Sequence, residues 1–101
     1  MSITYNIRLT LRAQDDIAAI FLYLDRERHA AAVRFIQQLD KHIDGLRWAP
    51  ARYPKIRERL RNRRIYRHIP FLRYRIIFRI QRREVIIMRI VHQARLLREV
   101  E

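Results

Sequence analysis

The sequence predicts an α+β domain with elements in the order β-α-α-β-β-β, and three observations support this. Residues 3–9 alternate apolar and polar side chains with period two, which is typical of a half-buried strand. Two longer segments then repeat apolar residues at steps of three and four, which is typical of amphipathic helices. Period two returns over residues 71–80 and 85–92. We therefore expect a helical hairpin packed on one face of an antiparallel sheet.

The two helices are expected to form a short antiparallel hairpin. The first begins at Leu11 and ends near residues 26–29, and the apolar stripe of the second covers residues 32–46. Asp15 and Asp16 fit the start of the first helix, where the helix dipole favours negative charge. That role explains both carboxylates without assigning them to catalysis.

The last three strands are expected to complete the sheet, beginning with a short strand near residue 66. The final two strands each have one face without arginine, and burying both faces under the helices fixes their register and leaves a three-residue turn at residues 82–84. This register pairs Ile76 with Ile90, Phe78 with Met88 and Ile80 with Ile86. The opposite face mixes arginines with apolar side chains, so we expect either the tail at residues 96–100 or a second polypeptide to cover it.

Positive charge is concentrated in the second half of the chain. The formal net charge is +13, from 23 basic and 10 acidic residues. Residues 1–46 carry six bases and six acids, so the whole excess lies in residues 47–101. Such density is the usual footprint of a surface that binds nucleic acid or an acidic protein, although a charged strand edge is the alternative. The densest group comprises Arg57, Arg59, Arg61, Arg63, Arg64 and Arg67.

Several classes of function are not expected. With no cysteine there is no disulfide or thiolate metal site, and the scattered histidines do not suggest a metal centre. A single glycine excludes a glycine-rich phosphate loop, so no cofactor is expected. The longest apolar run, residues 85–88, is too short to cross a bilayer. We expect one cytoplasmic domain over residues 1–101, without membrane association.

Four segments, in this order and spacing, carry a family resemblance. They are DDIAAIFLYL, AAVRFIQQLDKHIDGL, the bend WAPARYP, and the ending FLRYRIIFRIQRREVIIMRIVHQAR, which closes in His-x-x-Arg at His92 and Arg95. Together they resemble the RelE/ParE superfamily of toxins from type II toxin–antitoxin systems. The resemblance implies the same fold that the periodicities predict.

The resemblance implies one of two activities, poisoning of DNA gyrase or ribosome-dependent cleavage of messenger RNA. Either activity would be neutralised by a cognate acidic antitoxin in a tight, higher-order complex. Closure in His-x-x-Arg followed by a further tail is more similar to the gyrase-directed branch, which is therefore the leading hypothesis. A non-toxic, small basic RNA-binding protein is the third.

Candidate catalytic residues matter only for the nuclease alternative. Cleavage without metal needs a base, an acid and a group that stabilises the phosphorane. The resemblance assigns Arg75 and His92 to two of these roles, and Glu58 is a displaced candidate for the third. The predicted register counts against the triad, because it places His92 beside Tyr74 under the helices and Arg75 on the opposite face, unless a bulge intervenes. The alternative for His92 is a hydrogen-bonded residue at the edge of the core.

Candidate binding residues form two groups. The first is expected to contact nucleic acid or the target, and comprises the six arginines between residues 57 and 67 with Arg95 and Arg98. The second is expected to bind the antitoxin through the uncovered face of the sheet. It comprises Arg73, Arg75, Arg79, Arg89, Ile77 and Ile87.

Overall fold

The computed structural model describes residues 4–101 and has the predicted order of elements. The predicted first strand is shorter than expected, and its residue Ile3 lies outside the described residues. The elements are β1 (Asn6–Leu9), α1 (Leu11–Glu27), α2 (His29–Gly45), a 3-10 turn (Pro50–Arg52), β2 (Arg67–Phe71), β3 (Tyr74–Gln81) and β4 (Glu84–His92).

An N-terminal cap and a one-residue connection define the helical hairpin. The Thr10 hydroxyl accepts a hydrogen bond from the Ala13 amide at 3.1 Å and so caps α1. Arg28 alone, in an extended conformation, joins α1 to α2, which confirms the predicted short connection. The placement of Asp15 and Asp16 in the first turn was wrong, because α1 begins at Leu11 and its first turn has no acidic residue.

The sheet is mixed, with strand order β1-β4-β3-β2. The β2–β3 and β3–β4 pairs are antiparallel, as expected, but β1 runs parallel to β4, with Asn6 opposite Glu84 and Leu9 opposite Ile87. An alternating pattern identifies a strand without specifying its neighbour or direction. The two helices therefore carry the chain from the β1 edge across the sheet before β2 begins at the other edge.

A β-bulge changes the predicted register of β3 and β4. Ile76 does face Ile90, but the pairing shifts by one residue after Ile77, which leaves Met88 as the extra residue of β4. The two other predicted pairs were therefore wrong, and the turn contains two residues between Gln81 and Glu84 instead of three. Beyond the bulge, Phe78 faces Ile87 and Ile80 faces Val85.

The bulge also exchanges the faces of half of β4. Val85 and Ile87 belong to the core under the helices, together with Phe35 and Leu39 of α2. Ile86 and Met88 instead lie on the opposite side, which we call the second face of the sheet. The expectation that Ile87 lies on an uncovered face is consequently wrong.

Two segments of the chain itself cover the second face. The arginine loop, residues 56–66, is closed at its base by the Ile56 amide donating to the Tyr66 carbonyl at 3.0 Å. The C-terminal tail, residues 93–101, lies across the same face. They form a second core that comprises Tyr66, Ile77, Ile86, Met88, Val91, Leu97 and Val100, with Ile56 and Leu60 at its border. Of the two predicted covers, the tail is therefore confirmed, and the arginine loop joins it.

We predict that Leu97→Ala lowers the free energy of unfolding by about 2–4 kcal/mol, because it removes a buried side chain from the second core. Leu96→Ala is the matched control, since Leu96 is 64% exposed and Leu97 only 7%, and it should change stability by less than about 0.5 kcal/mol. Urea unfolding of both variants measures the difference. Equal effects would mean that the tail does not pack as described.

Candidate functional site

Arg75 lies at the centre of the second face. It is 1% exposed, on β3, and its guanidinium contacts three other parts of the chain. Nη1 and Nη2 donate to the two carboxylate oxygens of Glu58 in the arginine loop. Nη2 also donates to the Arg95 carbonyl of the tail at 2.7 Å, and Nη1 lies 3.2 Å from Nδ1 of His68 on β2. One buried cation therefore joins both covering segments to the sheet.

Glu58 is the matching anion. Its carboxylate also accepts a hydrogen bond from the Leu97 amide at 3.1 Å. Burial by itself would raise the pKa of Glu58, but the hydrogen bonds from Arg75 and Leu97 and the charge of Arg75 outweigh it and lower the pKa from 4.5 to about 2. Glu58 is thus ionised at neutral pH and is a poor proton acceptor.

His68 is a site residue that the sequence did not single out. Burial, together with the positive charges of Arg75 and Arg57, lowers the pKa of His68 below its usual value of 6.5. A guanidinium only donates hydrogen bonds, so Nδ1 is the acceptor in the contact with Arg75 and the ring proton lies on Nε2. Assigning the faces of β2 would have placed His68 beside Arg75, but arginines on both faces of that segment obscured the pattern.

His92 does not join Glu58 and Arg75. It lies opposite Tyr74 at the end of β4, with the two ring centroids 6.0 Å apart, and its Nδ1 accepts from the Ala94 amide at 3.1 Å. This is the placement that the predicted register gave, because the bulge lies beyond this pair. The structure therefore brings two of the three candidate nuclease residues together and leaves the third exposed on the other side of the sheet.

The arginines expected to bind a target are mostly exposed. Arg57 donates to the Gln93 carbonyl at 2.7 Å, Arg64 pairs with Glu101 at 2.5 Å, and Arg67 donates to the Tyr53 carbonyl at 2.7 Å. The other five arginines have side chains that make no hydrogen bond or ion pair with residues 4–101. These are Arg59, Arg61, Arg63, Arg95 and Arg98. Exposed guanidinium groups without a counter-charge give the loop and tail a strongly positive surface.

A cleft of roughly 920 Å³ separates the arginine loop from the tail. Its walls combine charged and apolar groups, with Leu60 on one side and Leu96 on the other. Arg57, Arg59 and Arg61 line the loop side, and Arg98 lines the tail side. Glu58, Glu99 and Glu101 also line the cleft, so its walls carry both charges, with a small excess of arginine.

The uncovered face expected for antitoxin binding does not exist in this arrangement. Ile77 and Ile87 are fully buried, and Arg75 and Arg89 are buried in ion pairs. The expectation that these four side chains are exposed was wrong, because the bulge turns Ile87 under the helices, the loop and tail cover Ile77 and Arg75, and Asp16 of α1 pairs with Arg89. The remaining two differ from them: Arg79 is partly buried, 3.7 Å from Glu101, whereas Arg73 is exposed.

Asp16 holds Arg89 in its place. The Asp16 carboxylate accepts from Arg89 Nε at 2.7 Å, from Nη2 at 3.1 Å and from the Ile90 amide at 3.0 Å. The residue therefore joins α1 to β4 next to the bulge. Asp16 thus has a structural role, although a different one from the helix-terminal role expected from the sequence.

Other kinds of site receive no support from the geometry of residues 4–101. Within this range, no three His, Asp or Glu side chains are grouped so that they would hold a metal ion. None of the helices in the described part of the chain has the length and apolar character needed to span a membrane.

Solved structures with the same fold come from toxin–antitoxin systems. A chain of the chromosomal ParDE system from P. aeruginosa matches with a TM-score of 0.72 and 17% identity, covering 90% of this chain and 98% of that chain. A chain of the RelBE2 toxin–antitoxin complex from Mycobacterium tuberculosis matches with a TM-score of 0.57 and 25% identity, covering 92% and 95%. The fold is therefore of a class that occurs in toxin–antitoxin systems.

The family follows from the sequence match. The family described as "ParE toxin of type II toxin-antitoxin system, parDE" matches residues 7–97. The chain therefore belongs to the ParE toxin family, which confirms the resemblance to the RelE/ParE superfamily. A comparison with curated proteins finds no match.

We predict that Glu58→Gln changes the acid stability of the protein. A carboxyl group whose pKa falls from 4.5 to about 2 on folding contributes stability above pH 4.5, and loses it as the pH falls towards 2. Removing the carboxylate leaves Arg75 buried without a counter-charge. The free energy of unfolding of the variant should therefore be about 3 kcal/mol lower than that of the unmodified protein at neutral pH, and this difference should shrink on acidification.

Glu84→Gln is the control for this prediction. Glu84 pairs with Arg8 at 3.3 Å on the surface, so its loss should cost less than about 1 kcal/mol. Urea unfolding of the three proteins between pH 7 and pH 2 makes the comparison. Identical pH dependence in Glu58→Gln and the unmodified protein would contradict the low pKa.

Proposed function

We propose that this protein is the toxin of a type II toxin–antitoxin pair and arrests growth by binding DNA gyrase. The chain belongs to a toxin family, and the exposed arginines of its loop and tail are suited to binding an anionic partner. The observation that carries the proposal is the state of Arg75, which is paired with Glu58 while His92 lies on the other side of the sheet. His92 is therefore not placed to act with Arg75, and several arginines of the loop and tail have no counter-charge within residues 4–101.

Ribosome-dependent cleavage of messenger RNA is the second candidate. One observation favours it: His68, Arg75 and Glu58 converge within hydrogen-bond distance on the second face. A nuclease needs a proton acceptor, and a neutral histidine with a lowered pKa is suited to that role. In this arrangement Nδ1 of His68 accepts from Arg75, so cleavage would require a rearrangement that frees the imidazole.

An antitoxin is the proposed neutralising partner. The structurally similar RelBE2 chain comes from a toxin–antitoxin complex, and the loop and tail of this chain carry exposed arginines around a partly apolar cleft. A short acidic segment with apolar side chains fits that chemistry. We therefore place the proposed antitoxin contact on the arginine loop, the tail and Arg73, instead of on the buried residues of β3 and β4.

We predict that the purified protein inhibits supercoiling by gyrase and leaves messenger RNA intact during translation. Replacing Arg59, Arg61 and Arg63 with serine should weaken inhibition by about tenfold, because each lost ion pair contributes about 0.5 kcal/mol. The matched control replaces Arg26, Arg34 and Lys41, which are exposed on the helices, with serine. A supercoiling assay and a translation-dependent cleavage assay are run in parallel.

The same assays can contradict the proposal. Cleaved messenger with normal supercoiling would assign the protein to the nuclease branch, and His68→Ala should then abolish cleavage. Equal loss of inhibition in both triple variants would mean that net charge, and not the arginine loop, determines gyrase binding. Absence of both activities and of growth arrest on induction would favour a non-toxic RNA-binding protein.

We also predict that a short acidic protein encoded beside this gene relieves the growth arrest and binds with an affinity that falls as salt rises. Exposed ion pairs are screened over about 10 Å at 0.1 M salt, so calorimetry at two ionic strengths measures their share. An affinity independent of salt would mean that the antitoxin contact lies outside the arginine loop.

A further inference from the structure

A second, smaller cleft lies between the start of α1, β4 and the tail, apart from the arginine loop. Its volume is about 390 Å³. Four arginines from these three elements converge on it, together with a single acidic residue, Glu99. The full lining is Arg12, Arg89, Arg95, Leu96, Leu97, Arg98 and Glu99.

Arg89 forms the inner wall of this cleft and has an unused donor. The residue is 4% exposed, and Asp16 accepts hydrogen bonds from its Nε and Nη2. Its Nη1 is also buried but has no hydrogen-bond partner among residues 4–101. A buried donor on a charged group is costly to leave unpaired. One carboxylate therefore fixes the guanidinium of Arg89 beside the cleft, and one of its buried donors is left unpaired.

The rim of the cleft is also short of negative charge. Arg12, Arg95 and Arg98 are exposed, and their side chains make no ion pair or hydrogen bond within the described chain. Asp16 balances Arg89, and Glu99 is the only anion on the rim. Three neighbouring guanidinium groups facing one carboxylate repel one another unless a further anion lies between them.

We propose that this cleft binds a phosphoryl group, with the three rim arginines around its oxygens and the positive charge of Arg89 at the inner wall. A carboxylate is satisfied by one guanidinium, since both groups are planar and pair through two parallel hydrogen bonds. Donors that converge from three elements instead match a tetrahedral anion with several oxygens. The source of the group is either free phosphate or the backbone of a polynucleotide, and the site does not depend on the target proposed above.

The test uses the full chain labelled with 15N and titrated with inorganic phosphate. We expect saturable shifts at the amides of Leu96 and Leu97, with a dissociation constant of about 1 mM. Arg12→Ser and Arg98→Ser should each weaken binding by about tenfold without unfolding the protein, because both side chains are exposed. Arg82→Ser is the matched control, since Arg82 is exposed in the β3–β4 turn and should leave phosphate binding unchanged.

A second titration with a short single-stranded oligonucleotide distinguishes the two sources. If the backbone is the source, the oligonucleotide shifts the same amides, inorganic phosphate competes with it, and Arg98→Ser weakens both. If free phosphate is the source, only the inorganic ion shifts them. Acetate binding as tightly as phosphate, shifts confined to the arginine loop, or unchanged affinity in both arginine variants would each overturn the proposal.

Discussion

The second face of the sheet depends on the ion pair between Arg75 and Glu58. A guanidinium in the middle of a buried strand is tolerated only if its charge is paired, and in Arg75 both Nη atoms are hydrogen-bonded while Nε has no partner among residues 4–101. Glu58 supplies the charge from the arginine loop, and the Arg95 carbonyl supplies a further acceptor from the tail. Because Glu58 also accepts from the Leu97 amide, the same pair fixes both covering segments. The loop and tail are thereby held over an apolar surface that the sheet alone would expose.

This constraint divides the arginines of the chain into two sets. Arg75 and Arg89 are each neutralised by one carboxylate and contribute to the fold. The arginines of the loop and tail are carried on the cover itself, where solvent and partners reach them, and most have no counter-charge within residues 4–101. The surplus positive charge thus lies on segments that a buried ion pair holds in place.

The spacing of apolar residues predicted those features of the fold that depend only on neighbouring residues in the sequence. The helices follow from their apolar stripes, and the position of His92 beside Tyr74 follows from alternation near the end of β4. The bulge could not be predicted, because β4 has apolar residues on both faces and either register buries a continuous surface. The parallel pairing of β1 and the contact of Glu58 with Arg75 depend on the path of the whole chain. The contact of Asp16 with Arg89 was missed for the same reason, whereas His68 was missed because arginines on both faces of its segment obscured the pattern of β2.

Amide hydrogen exchange at Leu97 tests the role of this ion pair most directly. Leu97 donates its amide hydrogen to Glu58, so its exchange requires the loop, the tail and Arg75 to separate together. We expect the Leu97 amide to exchange at least about 100-fold more slowly than the amides of Leu96 and Arg98, relative to their intrinsic rates. Equal protection of the Leu96, Leu97 and Arg98 amides would contradict the role of the ion pair, because the tail would then move independently of the buried pair.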